Sequence, residues 1–365
     1  MRNNLIYLRD SKKEIFINRY EEIDAKEFLN ADIGKHLGPN RIGQGYIGLV
    51  PYGSFNRIAD LHESGLRIFS IKDKKTGTYS RSKPNTFSRI QLRNFESREA
   101  YLNKARQCLQ DILNGRYYQI NLLQYFAIDQ IVENDEWIER LNLFGGDYSA
   151  LISLSDLQVV SFSPESFFSI SHQSDQFLIQ TRPIKGTAPR FEDSQDDLNS
   201  AKSLSESPKD RAELNMIIDL MRNDLSQICV PLTTQVTDMG SLLRCSNVHH
   251  LQGEVQGVLK AEITFGEIFN KLCPGGSITG APKLEVMKAI SEYELRPREY
   301  FMGNIFYIDE CGRFESSILI RTVLKNRKNP YVFAVGSGIV VNSKPEAEYD
   351  EIMAKARVIG ELDVV

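Results

Sequence analysis

The sequence predicts a mixed α and β fold with many strands, and two observations carry that reading. Short runs rich in β-branched and aromatic residues recur along the chain, bounded by Gly, Pro, Asn, Asp and Ser, the alternation expected of strands and turns. Between them lie fewer stretches with apolar residues at helical spacing, the strongest from Ser205 to about Asp224. With 365 residues, 41% hydrophobic and 25% charged, the chain suits two domains or one large one. A net charge of −4, from 44 basic and 48 acidic residues, offers nothing to nucleic acid. No apolar run approaches the roughly 18 residues that span a bilayer, and Met1 to Arg9 lacks the pattern of a signal peptide. Cys108, Cys229, Cys245, Cys273 and Cys311 are odd in number and form no Cys-x-x-Cys, so they read as reduced core or near-core thiols of a cytoplasmic protein. Five histidines without a Cys/His cluster argue against structural zinc. A divalent metal would need carboxylates, which favours magnesium or manganese.

In chain order, Tyr46 to Val50 and Leu66 to Ile71 read as strands, and the polar segment Lys72 to Asn94 as an exposed connection. Ser97 to Asn114 has helical periodicity, with Gly115 as its stop. Tyr117 to Phe126 is a strand with Gln119, Asn121 and Gln124 off its apolar face, either satisfying backbone groups or lining a polar pocket. Three short strands follow between Leu151 and Ser171. Pro164 sets Glu165 at a strand rim, where it is either a turn carboxylate or a general acid or base.

After the strand Gln176 to Gln180, Pro183 and Gly186 break the ladder and hold Lys185 on a bend. Lys185 is either a solvated loop lysine or, if desolvated, a nucleophilic amine. Arg190 to Leu198 reads as an acidic loop. In the helix beyond it, Asp210 and Glu213 share a face, and the apolar residues around Asp219 argue against full exposure of that carboxylate. Residues 229 to 260 read as strands that point His249 and His250 to opposite faces. The glycine-rich turn Cys273 to Lys283 opens the helix Leu284 to Glu294 and offers its N–H groups to an anion. Met302 to Ile308, Glu315 to Val323 and Tyr331 to Val335 are strands. Arg321 sits in the second of them, costly unless paired with a carboxylate. Gly336 and Gly338 allow close backbone approach to a ligand, and Pro345 to Gly360 is a helix with Glu348, Glu351 and Lys355 at helical spacing. Two helices with paired acids would suit an all-carboxylate magnesium site.

Eight blocks, in order, resemble the chorismate-utilising enzymes: anthranilate and aminodeoxychorismate synthase components I and the isochorismate and salicylate synthases. They are Tyr118-Gln119-Ile120-Asn121-Leu122, Ser163-Pro164-Glu165, Arg182-Pro183-Ile184-Lys185-Gly186-Thr187, Asp210 to Asp224, His249-His250-Leu251, Pro274 to Lys283, Ile320-Arg321-Thr322, and Gly336 to Val340 with Glu348 to Glu351. The resemblance covers roughly residues 97 to 360. It implies an α+β fold of large antiparallel sheets packed face to face with helices outside. Residues 96–365 would form the chorismate-binding core, and a shortened portion, 1–95, would add strands to the same globule.

By position, the resemblance makes Glu213 and Glu351 ligands of Mg2+, with Asp210 and Glu348 behind them. Arg321, Lys355 and the backbone around Gly280, Gly336 and Gly338 would bind substrate carboxylates, with Gln119, Thr187, His250 and Thr279 alongside. Glu165 would be the acid that helps the C4 hydroxyl leave. Isochorismate and salicylate synthases have a lysine base where this chain has Gln119, and anthranilate synthases usually have alanine at Lys185. A lysine at 185 looks like the aminodeoxychorismate synthase branch, in which the amine adds to C2 and ammonia then attacks C4 and expels it. Ammonia would come from a separate glutamine amidotransferase subunit. Alternatives are an enzyme making anthranilate or 2-amino-2-deoxyisochorismate, a non-catalytic chorismate-binding partner subunit, or a carboxylate-metal hydrolase. The family's Arg-Gly-x-Tyr-x-Gly stretch reads Arg298-Glu299-Tyr300-Phe301-Met302-Gly303 here, without its tyrosine and first glycine. The tryptophan-holding motif of relatives is not found in the first 95 residues.

Overall fold

The computed structural model describes residues 5–10, 13–37, 45–52, 65–77, 90–245, 248–294, 296–327, 330–357, 359 and 361–362. Its frame is one antiparallel ladder that runs in two directions from a hairpin. Leu5–Asp10 pairs with Lys13–Ile23 on one edge and with Ala150–Ser153 on the other. From Lys13–Ile23 the first arm passes through Arg67–Gly77, Tyr46–Val50, Asn304–Ile308, Phe314–Ile318, Ser166–Gln173 and Gln176–Thr181. It ends on Val248–Val258 and Gln235–Arg244. From Ala150–Ser153 the second arm passes through Leu157–Ser161, Thr322–Asn326, Tyr331–Val340 and Gln119–Ile128 to Gln91–Asn94. Glu361–Leu362 joins that edge in parallel.

The period-2 alternation of side chains explains why the arms face each other. Along Gln119–Ile128, Leu123 and Tyr125 join the same core as Ile47, Leu49 and Phe168 of the first arm. Ile120, Leu122, Phe126 and Ile128 point the other way, into a core shared with the helices Arg98–Leu113, Asn134–Phe144, Lys283–Tyr293 and Pro345–Ala356. The second arm thus packs on the first with one face and is roofed by helices on the other. Against the first arm lie Ala25–Asn30, Pro208–Ile228 and Phe265–Leu272. Among the described residues no helix is long and apolar enough to cross a membrane.

Several elements differ from the sequence reading. The segment expected as an acidic loop contains a helix, Ser194–Glu206, whose N-cap Asp193 accepts from the N–H groups of Gln195 and Asp196. The next helix begins at Pro208, with Ser207 as its cap. Glu315 to Val323 is two strands separated by a bend at Arg321. Asp219 is exposed and paired with Arg222 at 2.6 Å, and Cys311 is an exposed thiol rather than a core one. Of the connection expected from Lys72 to Asn94, residues 72–77 and 91–94 are strand; 78–89 lie outside the described residues, as does Gly360.

The first arm is centred on phenylalanine rings: Phe314 stacks on Phe168 at 5.0 Å, Phe306 at 5.3 Å and Phe265 at 5.4 Å. Phe314 is 0% exposed. Phe314→Ala should therefore lower unfolding stability by about 3–5 kcal/mol in a denaturant titration.

Candidate active site

Lys185 is in the ladder, not on a free bend. The strand Ile184–Pro189 pairs with Val248–Val258, setting Lys185 opposite Leu251 and Thr187 opposite His250, with an irregularity at Gly186. Gly186 has φ 70°, and a Cβ there would lie 3.0 Å from Asp210 Oδ1. Glycine therefore lets the strand bulge against the start of the Pro208–Ile228 helix. Among the described residues the Lys185 ammonium has no hydrogen bond or ion pair.

Across the ladder, His250 Nδ1 lies 2.9 Å from the Gly186 carbonyl and 3.1 Å from Thr187 Oγ1. A carbonyl only accepts, so Nδ1 carries the proton and Nε2 is the acceptor. Burial holds the imidazole pKa below its ordinary value, with Arg321 adding to the effect. His249 points to the other face, where its Nε2 lies 2.9 Å from Asp197 Oδ1.

Glu165 follows Pro164 at the junction of the two arms. Its N–H donates to Ser163 Oγ at 3.2 Å, and its carbonyl accepts from Ile318 N–H at 3.3 Å. Burial pushes its carboxyl up to about 7, against the pull of Lys185, Arg321 and Lys355. Arg321 lies outside any strand at φ 48°, and among the described residues its guanidinium has no ion pair. The expected carboxylate partner is replaced by the field of Glu165, which opposes the lowering of its pKa by burial.

The second arm supplies the facing wall. Gln119–Ile128 runs beside Tyr331–Val340, placing Asn121 opposite Gly338 and Leu123 opposite Gly336. The Gln119 amide nitrogen is 3.2 Å from where a Cβ on Gly338 would be. Lys355 Nζ donates to the Gly336 carbonyl at 3.2 Å and pairs with Glu351 at 2.5 Å. The glycine-rich turn does not open the long helix directly. It forms the short helix Gly276–Thr279, then Gly280–Ala281 pairs with Gln119–Ile120, and the long helix starts at Lys283. Gly280 has φ 140°, and a Cβ there would meet the Gln119 carbonyl at 2.1 Å. Thr279 is buried, and its hydroxyl accepts from Tyr52 Oη at 3.3 Å.

Asp210 and Glu213 lie on the helix Pro208–Ile228, and Glu348 and Glu351 on the helix Pro345–Ala356. Ser207 Oγ donates to Asp210 Oδ2 at 2.5 Å. Glu348 is buried and takes hydroxyl donors from Ser337 and, at 2.6 Å, Ser343. The Glu213 pKa is raised by burial, with Asp210 and Glu348 adding to it and Lys185 and Lys209 opposing. Glu213 and Glu348 therefore feel each other across the cleft, although among the described residues no three His, Cys, Asp or Glu side chains form a metal-holding cluster. A carboxylate whose pKa is raised by neighbouring carboxylates, as that of Glu213 is, is the donor chemistry that a hard divalent cation relieves.

Sequence reasoning overlooked what lies behind the turn. Arg298 donates to Ile278 O at 3.1 Å, Asn121 O at 2.6 Å and Glu294 at 2.6 and 2.9 Å, with Tyr52 beneath it at 4.6 Å. The i, i+4 spacing of Glu294 and Arg298 was the available signal. At the lost glycine of this stretch, Glu299 takes φ 49°, a left-handed conformation.

The chain belongs to the chorismate binding enzyme family, whose model matches residues 55–361. It is 41% identical over 262 residues to aminodeoxychorismate synthase component 1 of Salmonella typhimurium, covering 71% of this chain and 56% of the relative. It is 38% identical to the Escherichia coli protein of that name, covering 73% and 58%, and 34% identical to an anthranilate synthase component 1 of Haloarcula marismortui, covering 73% and 54%. The matches span just over half the length of these curated relatives. Among solved structures, an isochorismate synthase from Bacillus anthracis superimposes with a TM-score of 0.77 at 21% identity, covering 98% of this chain and 96% of that one. Anthranilate synthase component I from Streptococcus pneumoniae gives 0.76 at 22%, covering 98% and 90%. The α+β fold of packed antiparallel sheets is theirs.

The raised Glu165 pKa has a stability signature. The folded state favours its protonated form, so its contribution is fully present below about 4.5, the ordinary value, and is lost as pH rises through about 7. Glu165→Gln should melt higher than the parent at pH 8, and the gap should close as pH falls toward 4.5.

Proposed function

We propose that this chain is an aminodeoxychorismate synthase component, converting chorismate and ammonia to 4-amino-4-deoxychorismate and water. The observation that carries the reading is Lys185, a primary amine without an ion-pair partner among the described residues, on a bulged strand within electrostatic reach of Glu165 and Glu213. The names of the relatives at 38–41% identity agree with it.

In the mechanism, the Lys185 ammonium first gives up a proton, and Glu165, with a pKa of about 7, is an acceptor in reach of its field. One transfer then yields a neutral nucleophile and a protonated acid. The amine forms a bond to ring C2 while the ring double bond shifts and the C4–O bond breaks, with Glu165 protonating the departing hydroxyl. Ammonia next bonds to C4, the double bond shifts back, and the C2–N bond to Lys185 breaks. Arg321 and the backbone of Gly280 and Gly338 would hold substrate carboxylates, and neutral His250 would present Nε2 to the ring.

Mg2+ is the proposed cofactor, held by Glu213 and Glu351 with Asp210 and Glu348 behind them. Bound there, it would act as a Lewis acid on the ring carboxylate. Glu351 would have to release Lys355, freeing that ammonium for substrate. The proposed partner is a glutamine amidotransferase subunit that delivers ammonia, in keeping with the word component in the relatives' names. A cytoplasmic location is proposed as well, in keeping with five free thiols.

Product mass spectrometry on the chain with chorismate, Mg2+ and an ammonium salt tests the reading. Aminodeoxychorismate is expected, and anthranilate would refute the role of Lys185. Lys185→Ala should abolish the aminated product, Glu165→Gln should lower kcat by about 10²–10⁴-fold, and chelation of Mg2+ should stop turnover until the ion is restored.

A further inference from the structure

Asn121 belongs to the wall of the site, opposite Gly338. It is two residues beyond Gln119 on one strand, so both side chains face the cleft between the arms. Asn121 is 8% exposed, and its Oδ1 is buried without a hydrogen-bond partner. A buried, unmet amide oxygen is costly, and folds seldom keep one without a use.

Its surroundings fix it in place. The Asn121 carbonyl is tied to Arg298 at 2.6 Å, so the main chain cannot shift to give the side chain another partner. A Cβ on Gly336 would lie 2.3 Å from Asn121 Oδ1 and 2.6 Å from the methyl of Met302. Only glycine at 336 lets the carboxamide rest there, and the thioether on the other side offers it an apolar methyl. The Gly336 carbonyl is already taken by Lys355. What remains is a rigid, uncharged acceptor beside the backbone that would bind substrate, with the Gln119 amide next to it along the same strand.

An uncharged acceptor in a buried wall selects a small neutral donor. A carboxylate at the same point would attract ammonium, which has no lone pair to give. An amide oxygen accepts one N–H of neutral ammonia and leaves the lone pair directed away from itself. We propose that Asn121 Oδ1 is the docking point for the incoming ammonia and orients it for attack on the ring. This inference rests on the amination reading above.

The test is steady-state kinetics on the purified chain with Mg2+, varying ammonium chloride and chorismate separately at constant ionic strength. Asn121→Ala should raise KM for ammonia roughly tenfold, the worth of one hydrogen bond to a neutral ligand, and leave KM for chorismate unchanged. Asn121→Ser, which keeps a small polar side chain, serves if the alanine variant does not fold. A rise in the chorismate KM alone would assign the amide to the substrate hydroxyl and overturn the proposal. An active variant with unaltered ammonia dependence would also overturn it. No aminated product from the unsubstituted chain at saturating ammonium would overturn the amination reading and this proposal with it.

Discussion

The ion pair between Glu294 and Arg298 is the interaction on which the site's shape depends. Both side chains are 2% exposed, and burying two charges is tolerable only when their remaining hydrogen-bonding capacity is met. Here it is met by the site's own backbone. Arg298 holds the carbonyls of Ile278 and Asn121, and Glu294 takes the N–H of Leu123 at 3.1 Å and the hydroxyl of Tyr125 at 3.2 Å. The turn carrying Thr279 and Gly280 is thus riveted to the strand carrying Gln119. Removing one partner would leave an uncompensated charge in the interior, at about 3–5 kcal/mol, and would free both segments together.

The cleft interleaves its charges. Lys185, Arg321 and Lys355 surround one buried acid, Glu165, while Lys185 also opposes the raised pKa of Glu213 and Lys355 pairs with Glu351 at 2.5 Å. The same cations thus serve the buried acid and the acidic helices. An anionic substrate, such as the proposed chorismate, would compete with those carboxylates for them.

Much of this was legible in the residues. The strands and helices that local signals named lie within a few positions of those found, and eight motif blocks pointed to the family, but the opening hairpin Leu5–Asp10 with Lys13–Ile23 and the helices Asn134–Phe144 and Phe265–Leu272 were not read. Local pattern failed where a tertiary partner decides. Pro183 and Gly186 read as a broken ladder, yet Val248–Val258 supplies a partner strand that tolerates a bulge, so Lys185 stays paired. Ile320-Arg321-Thr322 reads as continuous strand, but Arg321 turns through φ 48° to serve two different pairings. Asp219 seemed walled in by apolar neighbours, yet those side chains follow the helical period and leave it outside with Arg222. The Glu294–Arg298 pair stayed hidden because its value lies in backbone groups from 20 to 177 residues away, which no short-range pattern records.

The ladder's connectivity also bears on how the chain is made. Leu5 pairs with Ser153, and Leu49 with Ile305, so strands synthesised first must wait for partners that emerge much later. Loops of such length close slowly, and until they do the early strands present open edges. The nascent chain is therefore at its most sticky between the appearance of its first hairpin and the arrival of Asn304–Ile308, an interval that favours a chaperone or a slow temperature of expression over rapid synthesis.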